Sequence, residues 1–122
     1  MAQIILSNMT ESKSATEGQI HEARVKAKKL EIKLAGAKLA QAEFYLDLLK
    51  ARVDYLEARA ARGDAITKRE QAELEWVREA LPVNSATVER LAAELERQRR
   101  ELELILADFE ETELALRSLD RD

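Results

Sequence analysis

The sequence predicts an all-α protein: a long antiparallel helical hairpin that assembles as a coiled-coil or helical-bundle homodimer. Three observations lead to this prediction. The 122-residue chain is 36 % charged, 46 % hydrophobic and only 4 % aromatic, which is the composition of long helices and coiled coils. It has one proline and three glycines, so long helices can run without a break. Its apolar residues recur at helical spacing, and no run shows the alternation of a strand.

The first helix is expected over about residues 15–61. Ser14 and Glu17 form a capping box, in which each side chain can bond the other residue's backbone amide. Gly63 provides the end of the helix, because glycine readily adopts the left-handed conformation that often follows a last helical turn. Ahead of this helix, residues 1–13 are expected to form an irregular N-terminal arm, which leaves residues 14–122 as a single helical domain.

The second arm is expected as two helical segments, over about residues 67–81 and 85–119. A capping box of Thr67 and Glu70 begins the first of them. Pro82 ends it, because proline has no amide hydrogen and pushes the preceding residue out of helical geometry. The sequence leaves open whether Pro82 kinks one long arm or makes a true turn. A hairpin folded at Gly63 sets residue i beside about residue 129 − i.

Heptad-spaced seams run along both arms. The seam of the last segment consists of Val88, Leu91, Leu95, Gln98, Leu102, Ile105, Phe109, Thr112, Leu116 and Leu119. The first helix carries two seams on nearly opposite sides. Its first seam is Ile20, Ala23, Ala27, Leu30, Leu34, Ala37, Gln41, Phe44, Leu48, Ala51, Tyr55 and Ala58. Its second seam is Ile32, Ala35, Leu39, Ala42, Leu46, Leu49, Val53, Leu56 and Ala60.

The two seams of the first helix motivate the prediction of a homodimer. A lone hairpin covers one seam per helix, and the second seam is expected to stay in water. Burying each of its large side chains is worth roughly 1.5–3 kcal/mol. The predicted oligomer interface is therefore Ile32, Ala35, Leu39, Ala42, Leu46, Leu49, Val53 and Leu56. The alternative is a three-helix bundle, in which the short 67–81 segment covers only part of that seam.

The charges are segregated along the chain, although the formal net charge is only −4. Residues 24–38 hold six basic residues against one acidic residue. In the hairpin, basic side chains of the two arms can converge on one band that contacts phosphates, for example of double-stranded RNA. The candidate contacts are Lys26, Lys29, Lys33, Arg97 and Arg100. Interspersed glutamates oppose such binding, because a charge run on a helix is usually a solvated face.

The motifs of enzymes and cofactor sites are absent from the sequence. It contains no glycine-rich phosphate loop, no His-Glu-x-x-His and no Gly-x-Ser-x-Gly, so no catalytic residue, cofactor or metal is expected. His21 is the single histidine and is expected on the surface. Arg62-Gly63-Asp64 matches an integrin-recognition tripeptide, but a helix stop accounts for it better.

The chain also has no cysteine and neither a signal peptide nor a membrane-spanning run of apolar residues is recognised in it. A cytoplasmic or nuclear location is therefore expected, and a viral or phage origin is compatible with it. The expected function is a non-catalytic, self-associating assembly or adaptor module that also contacts a protein partner. The alternative is a dimeric helical bundle that binds duplex nucleic acid through the basic band.

Overall fold

In the computed structural model the chain forms two helices, α1 (Ala2–Ala61) and α2 (Lys68–Arg121). The structure describes the backbone of residues 2–121 and the side chains of residues 16–119, and this described part contains no strand. The all-α hairpin is confirmed. Helix α1 begins at Ala2 rather than near Ser14. Residues 2–13, which were predicted to form an irregular arm, are therefore part of α1, and the side chain of Ser14 lies outside the described residues.

The end of α1 follows the sequence prediction at Gly63, whose φ of 81° lies in the left-handed region. The Gly63 amide donates to the carbonyl of Ala60 at 3.1 Å, and the Asp64 amide donates to the carbonyl of Arg59 at 3.0 Å. This pair of bonds is the Schellman motif, which gives partners to carbonyls that the helix itself leaves unbonded. Gly63 therefore ends α1 and starts the short link to α2.

The start of α2 is the predicted capping box. The backbone amide of Glu70 donates to Thr67 Oγ1 at 3.1 Å, and the amide of Thr67 donates to Glu70 Oε1 at 3.3 Å. These reciprocal bonds satisfy two amides that have no partner within the helix. They also lower the pKa of the Glu70 carboxyl, chiefly through the hydrogen bond from the Thr67 amide.

The two segments predicted on either side of Pro82 are one helix, so of the two alternatives left open the single long arm is correct and the true turn is excluded. Pro82 is exposed, and water can therefore reach the carbonyl that loses its intrahelical donor there. Two residues later, Asn84 donates its side-chain amide to the carbonyl of Ala80 at 2.8 Å. This contact supports the backbone next to the proline.

The chain divides into two compact units, Leu34–Glu96 and Met1–Lys33 together with Arg97–Asp122. The first of these, here called the hairpin unit, contains the link between the helices. Its core is formed by Leu49, Val53 and Leu56 of α1 packed against Leu74 and Val77 of α2. Leu56 is fully buried, at 0 % exposed.

Ion pairs flank this core. Arg52 Nε lies 2.5 Å from Glu73 Oε1, and Arg78 Nη2 lies 3.0 Å from Glu57 Oε1. Arg59 pairs with Glu70, which is the partner position that the 129 − i register predicts. The hydrogen bond from Arg52 lowers the pKa of the Glu73 carboxyl. The predicted antiparallel register is confirmed within the hairpin unit.

The second unit, here called the terminal unit, is held by contacts around Lys28. Lys28 Nζ donates to Glu101 Oε2 at 2.6 Å, to Gln98 Oε1 at 2.9 Å and to Glu31 Oε2 at 2.9 Å. The bonds to Glu101 and then Glu31 raise the pKa of Lys28. The pairing of Lys28 with Glu101 is again the 129 − i register, so the prediction holds in this unit as well.

Candidate interaction surface

The second seam of α1, predicted as the oligomer interface, lies on the inner side of the hairpin. Four of its residues are buried in the chain's own core: Leu46, Leu49, Val53 and Leu56. The other four predicted interface residues are half-buried: Ile32, Ala35, Leu39 and Ala42. The expectation that a lone hairpin leaves this seam in water was therefore wrong.

The size of the side chains explains which seam turns inward. In the hairpin unit the second seam offers three leucines and a valine over residues 46–56. The first seam offers mainly alanine between its larger residues, and Gln41 interrupts it. Because apolar stabilisation scales with the area removed from water, the leucine-rich seam gives the larger gain when it packs against α2. The difference in side-chain size between the two seams is the sequence signal that the prediction missed.

The face left open is the part of the first seam that belongs to the hairpin unit, here called the outward face. It consists of Leu34, Ala37, Gln41, Phe44, Leu48, Ala51, Tyr55 and Ala58. Each member follows an inner-seam residue by two positions, and so lies about 200° away around the helix. Its large side chains are well exposed: Leu34 by 57 %, Phe44 by 65 %, Leu48 by 52 % and Tyr55 by 51 %.

A groove of about 530 Å³ runs beside this face in the hairpin unit. Its lining is Lys38, Gln41, Ala42, Phe44, Tyr45, Leu48 and, from α2, Leu91. Only one of the lining residues is charged. Apolar and aromatic side chains around a few polar groups are typical of surfaces that bind another molecule.

The two edges of the outward face carry opposite charges. One edge holds Asp47 and Asp54, each one position before a member of the face. The other edge holds Arg52 and Arg59, each one position after a member of the face. The guanidinium carbons of these arginines lie 5.4 and 5.7 Å from the centre of the Tyr55 ring, which is within the range of a cation–π interaction. This contact holds the Tyr55 ring on the face.

The five residues predicted to contact nucleic acid all belong to the terminal unit and are all exposed: Lys26, Lys29, Lys33, Arg97 and Arg100. Exposure suits a phosphate contact, but convergence on one band requires a common flank. The ion pairs that these residues and their neighbours form with Glu31 and Glu101 show on which flank the basic residues lie.

The ion pairs of the terminal unit place Arg97 on a different flank from Lys29 and Lys33. Arg97 Nη1 lies 2.6 Å from Glu101 Oε1, and Glu101 in turn bonds Lys28, which bonds Glu31. Arg97 therefore lies on the same flank as Glu31 and Glu101, and it partly neutralises the Glu101 carboxylate. Lys29 lies two positions from Glu31, about 200° around α1. Lys33 also lies two positions from Glu31, so both lysines point away from the flank that holds Arg97.

His21 is half-buried in the terminal unit, where its ring stacks on Phe109 with centroids 3.8 Å apart and planes 10° apart. A groove of about 220 Å³ lies beside this pair and is lined by Glu17, Arg24 and Asp108, among others. Among the described residues, no group of three or more His, Cys, Asp or Glu side chains is placed to hold a metal ion. The stacked pair thus packs one helix against the other.

Comparisons with family models, curated proteins and solved structures found no match to this chain. In the part of the chain that the structure describes, neither helix has a segment long and apolar enough to cross a membrane.

Proposed function

We propose that this protein is a non-catalytic assembly module, which self-associates as a coiled-coil or helical-bundle homodimer and presents its helices to a protein partner. The observation that carries this proposal is the outward face of α1, where Leu34, Phe44, Leu48 and Tyr55 are each more than half exposed. Exposed apolar residues that are scattered singly need no explanation. A row of them at heptad spacing on one helix face is the pattern of a helix that packs against another helix.

The magnitude of this burial sets the expected affinity. Complete burial of such a side chain is worth roughly 1.5–3 kcal/mol, and about half of each side chain is still in water. Four side chains on each of two chains then contribute on the order of 8 kcal/mol before the cost of association. A dissociation constant of 1 μM corresponds to about 8 kcal/mol. The cost of association has to be subtracted from this burial, so we expect a dissociation constant no tighter than micromolar, which suits reversible assembly.

Sedimentation equilibrium over about 1–200 μM, a range that begins at the tightest affinity expected, tests the proposal. The wild-type chain of 13.8 kDa is expected to show a dimer whose fraction rises with concentration. Phe44→Glu should shift it to monomer, because a charge placed in an apolar interface is strongly unfavourable.

Val83→Glu is the matched control, since Val83 is 66 % exposed on α2 and Phe44 is 65 % exposed on α1. This variant should associate as the wild type does. A wild-type chain that stays monomeric throughout the range would overturn the proposal. If both variants lost association equally, the outward face would not be the dimer interface.

A further inference from the structure

We propose that the occupant of the outward face is the same face of a second copy, with the two α1 helices parallel and in register. This inference rests on the proposed self-association and adds the direction and register of the pair. It follows from two properties of the hairpin unit: the charges at the edges of the face, and the position of its one polar member.

The charges favour the parallel direction. In a parallel helix pair, a residue that directly precedes a seam residue on one helix lies near the residue about five positions later on the partner helix. That partner residue directly follows a seam residue of its own helix. Asp47 is then placed near Arg52 of the second copy, and Asp54 near Arg59. Two-fold symmetry repeats each pairing, so four contacts between opposite charges flank the seam, against two like-charge contacts between Lys33 and Lys38.

Both arginines retain access to a second carboxylate. Arg52 bonds Glu73 of its own chain and its side chain remains 42 % exposed. Arg59 bonds Glu70 and the carbonyl of Ala65, and its side chain remains 25 % exposed. A guanidinium has five donors, and one carboxylate does not occupy them all.

An antiparallel pair loses this match, because like edges then adjoin one another. Arg52 and Arg59 share their edge with Lys38. The antiparallel arrangement therefore brings basic residues of the two copies together along one edge, and Asp47 and Asp54 together along the other.

Gln41 favours the in-register arrangement. It occupies the same heptad position as Leu34 and Leu48, which is a seam position of the outward face. In a parallel, in-register pair, Gln41 meets Gln41 of the second copy, and each amide can donate to and accept from the other. A shift by one heptad sets each amide against an apolar residue, which leaves a buried polar group unpaired.

Disulfide trapping tests the direction, since the chain has no cysteine of its own. Leu34→Cys and Leu48→Cys are prepared as separate variants and oxidised at a concentration where the wild type is dimeric. The two positions are 14 residues apart in the sequence, or about 21 Å along a helix. A disulfide requires Cα atoms within about 7 Å. Both variants should form covalent dimers in a parallel, in-register pair.

An antiparallel pair can cross-link a single cysteine only near its centre, so at most one of the two variants would react. That result, in a chain that does dimerise, would overturn the parallel inference and leave the proposed self-association intact. A monomeric wild type would instead overturn both. Lys50→Cys, exposed on a different side of α1, is the control that should not cross-link.

Charge reversal provides a second test. Asp47→Arg should weaken dimerisation on the order of tenfold at low salt, because two attractions become two repulsions. Glu43→Arg makes the same charge change one helical turn earlier, at a position about 50° farther around α1 from the middle of the face, and it should alter the dissociation constant less than about twofold. Equal effects of the two variants, or an Asp47→Arg effect that 0.5 M salt does not reduce, would overturn the proposed charge pairing.

Discussion

Replacing Leu56 by alanine tests the central claim about the packing, namely that the second seam of α1 forms the chain's own core. Leu56 is fully buried and packs with Leu49, Val53, Leu74 and Val77. Leucine-to-alanine changes in protein cores cost about 2–5 kcal/mol, from lost transfer free energy and from the cavity left behind. Two helices enclose this core, so partial collapse is possible. We expect a loss of about 2–3 kcal/mol in the free energy of unfolding.

Urea unfolding followed by circular dichroism at 222 nm measures this loss. With a slope of about 1–3 kcal/mol per molar urea, the midpoint should fall by about 0.7–3 M. Leu48→Ala is the matched control, because it is the same change on the same helix at a residue that is 52 % exposed. Its cost within one chain should stay below about 1 kcal/mol.

Protein concentration separates the two effects. The Leu56→Ala loss should persist at the lowest measurable concentration, because it arises within one chain. Any additional loss in Leu48→Ala should grow with concentration, because only the dimer uses that side chain. If Leu48→Ala costs as much as Leu56→Ala in dilute solution, the assignment of inner and outward seams is refuted.

Three further changes test the local structure. Pro82→Ala should raise the melting temperature, because α2 is continuous and the change restores a helical hydrogen bond; a lower melting temperature would contradict the continuous helix. Thr67→Ala should cost about 1 kcal/mol in urea unfolding through loss of the cap on Glu70, and an unchanged midpoint would contradict that role. Folding lowers the pKa values of the Glu70 and Glu73 carboxyls from their ordinary value near 4.5. The two carboxylates therefore stabilise the fold at pH values above 4.5, and this stabilisation is lost as the pH falls below that value. Melting temperatures from pH 6 to pH 3 should fall less steeply in Glu70→Gln than in the wild type, and parallel curves would contradict the linkage.

The sequence was sufficient wherever the determining interaction is local. Gly63 and the Thr67–Glu70 box involve bonds within a few residues, and the structure forms both as predicted. The antiparallel register followed from the position of the link alone, and Lys28–Glu101 and Arg59–Glu70 confirm it. Pro82 was harder to predict. Its effect on the helix depends on whether the ring faces solvent and on the nearby bond from Asn84, and both depend on how α2 packs.

The choice between the two seams of α1 could not be decided by periodicity, because both seams have helical spacing and only one can face α2. The competition depends on the area that each seam buries against the partner helix, and thus on side-chain volume. Over residues 49–56 the inner seam packs Leu49, Val53 and Leu56 against Leu74 and Val77. The outward face has alanines and Gln41 between its larger residues. Such a face gains less inside the hairpin, but small residues let a second helix approach closely, and a glutamine can select the register of a pair.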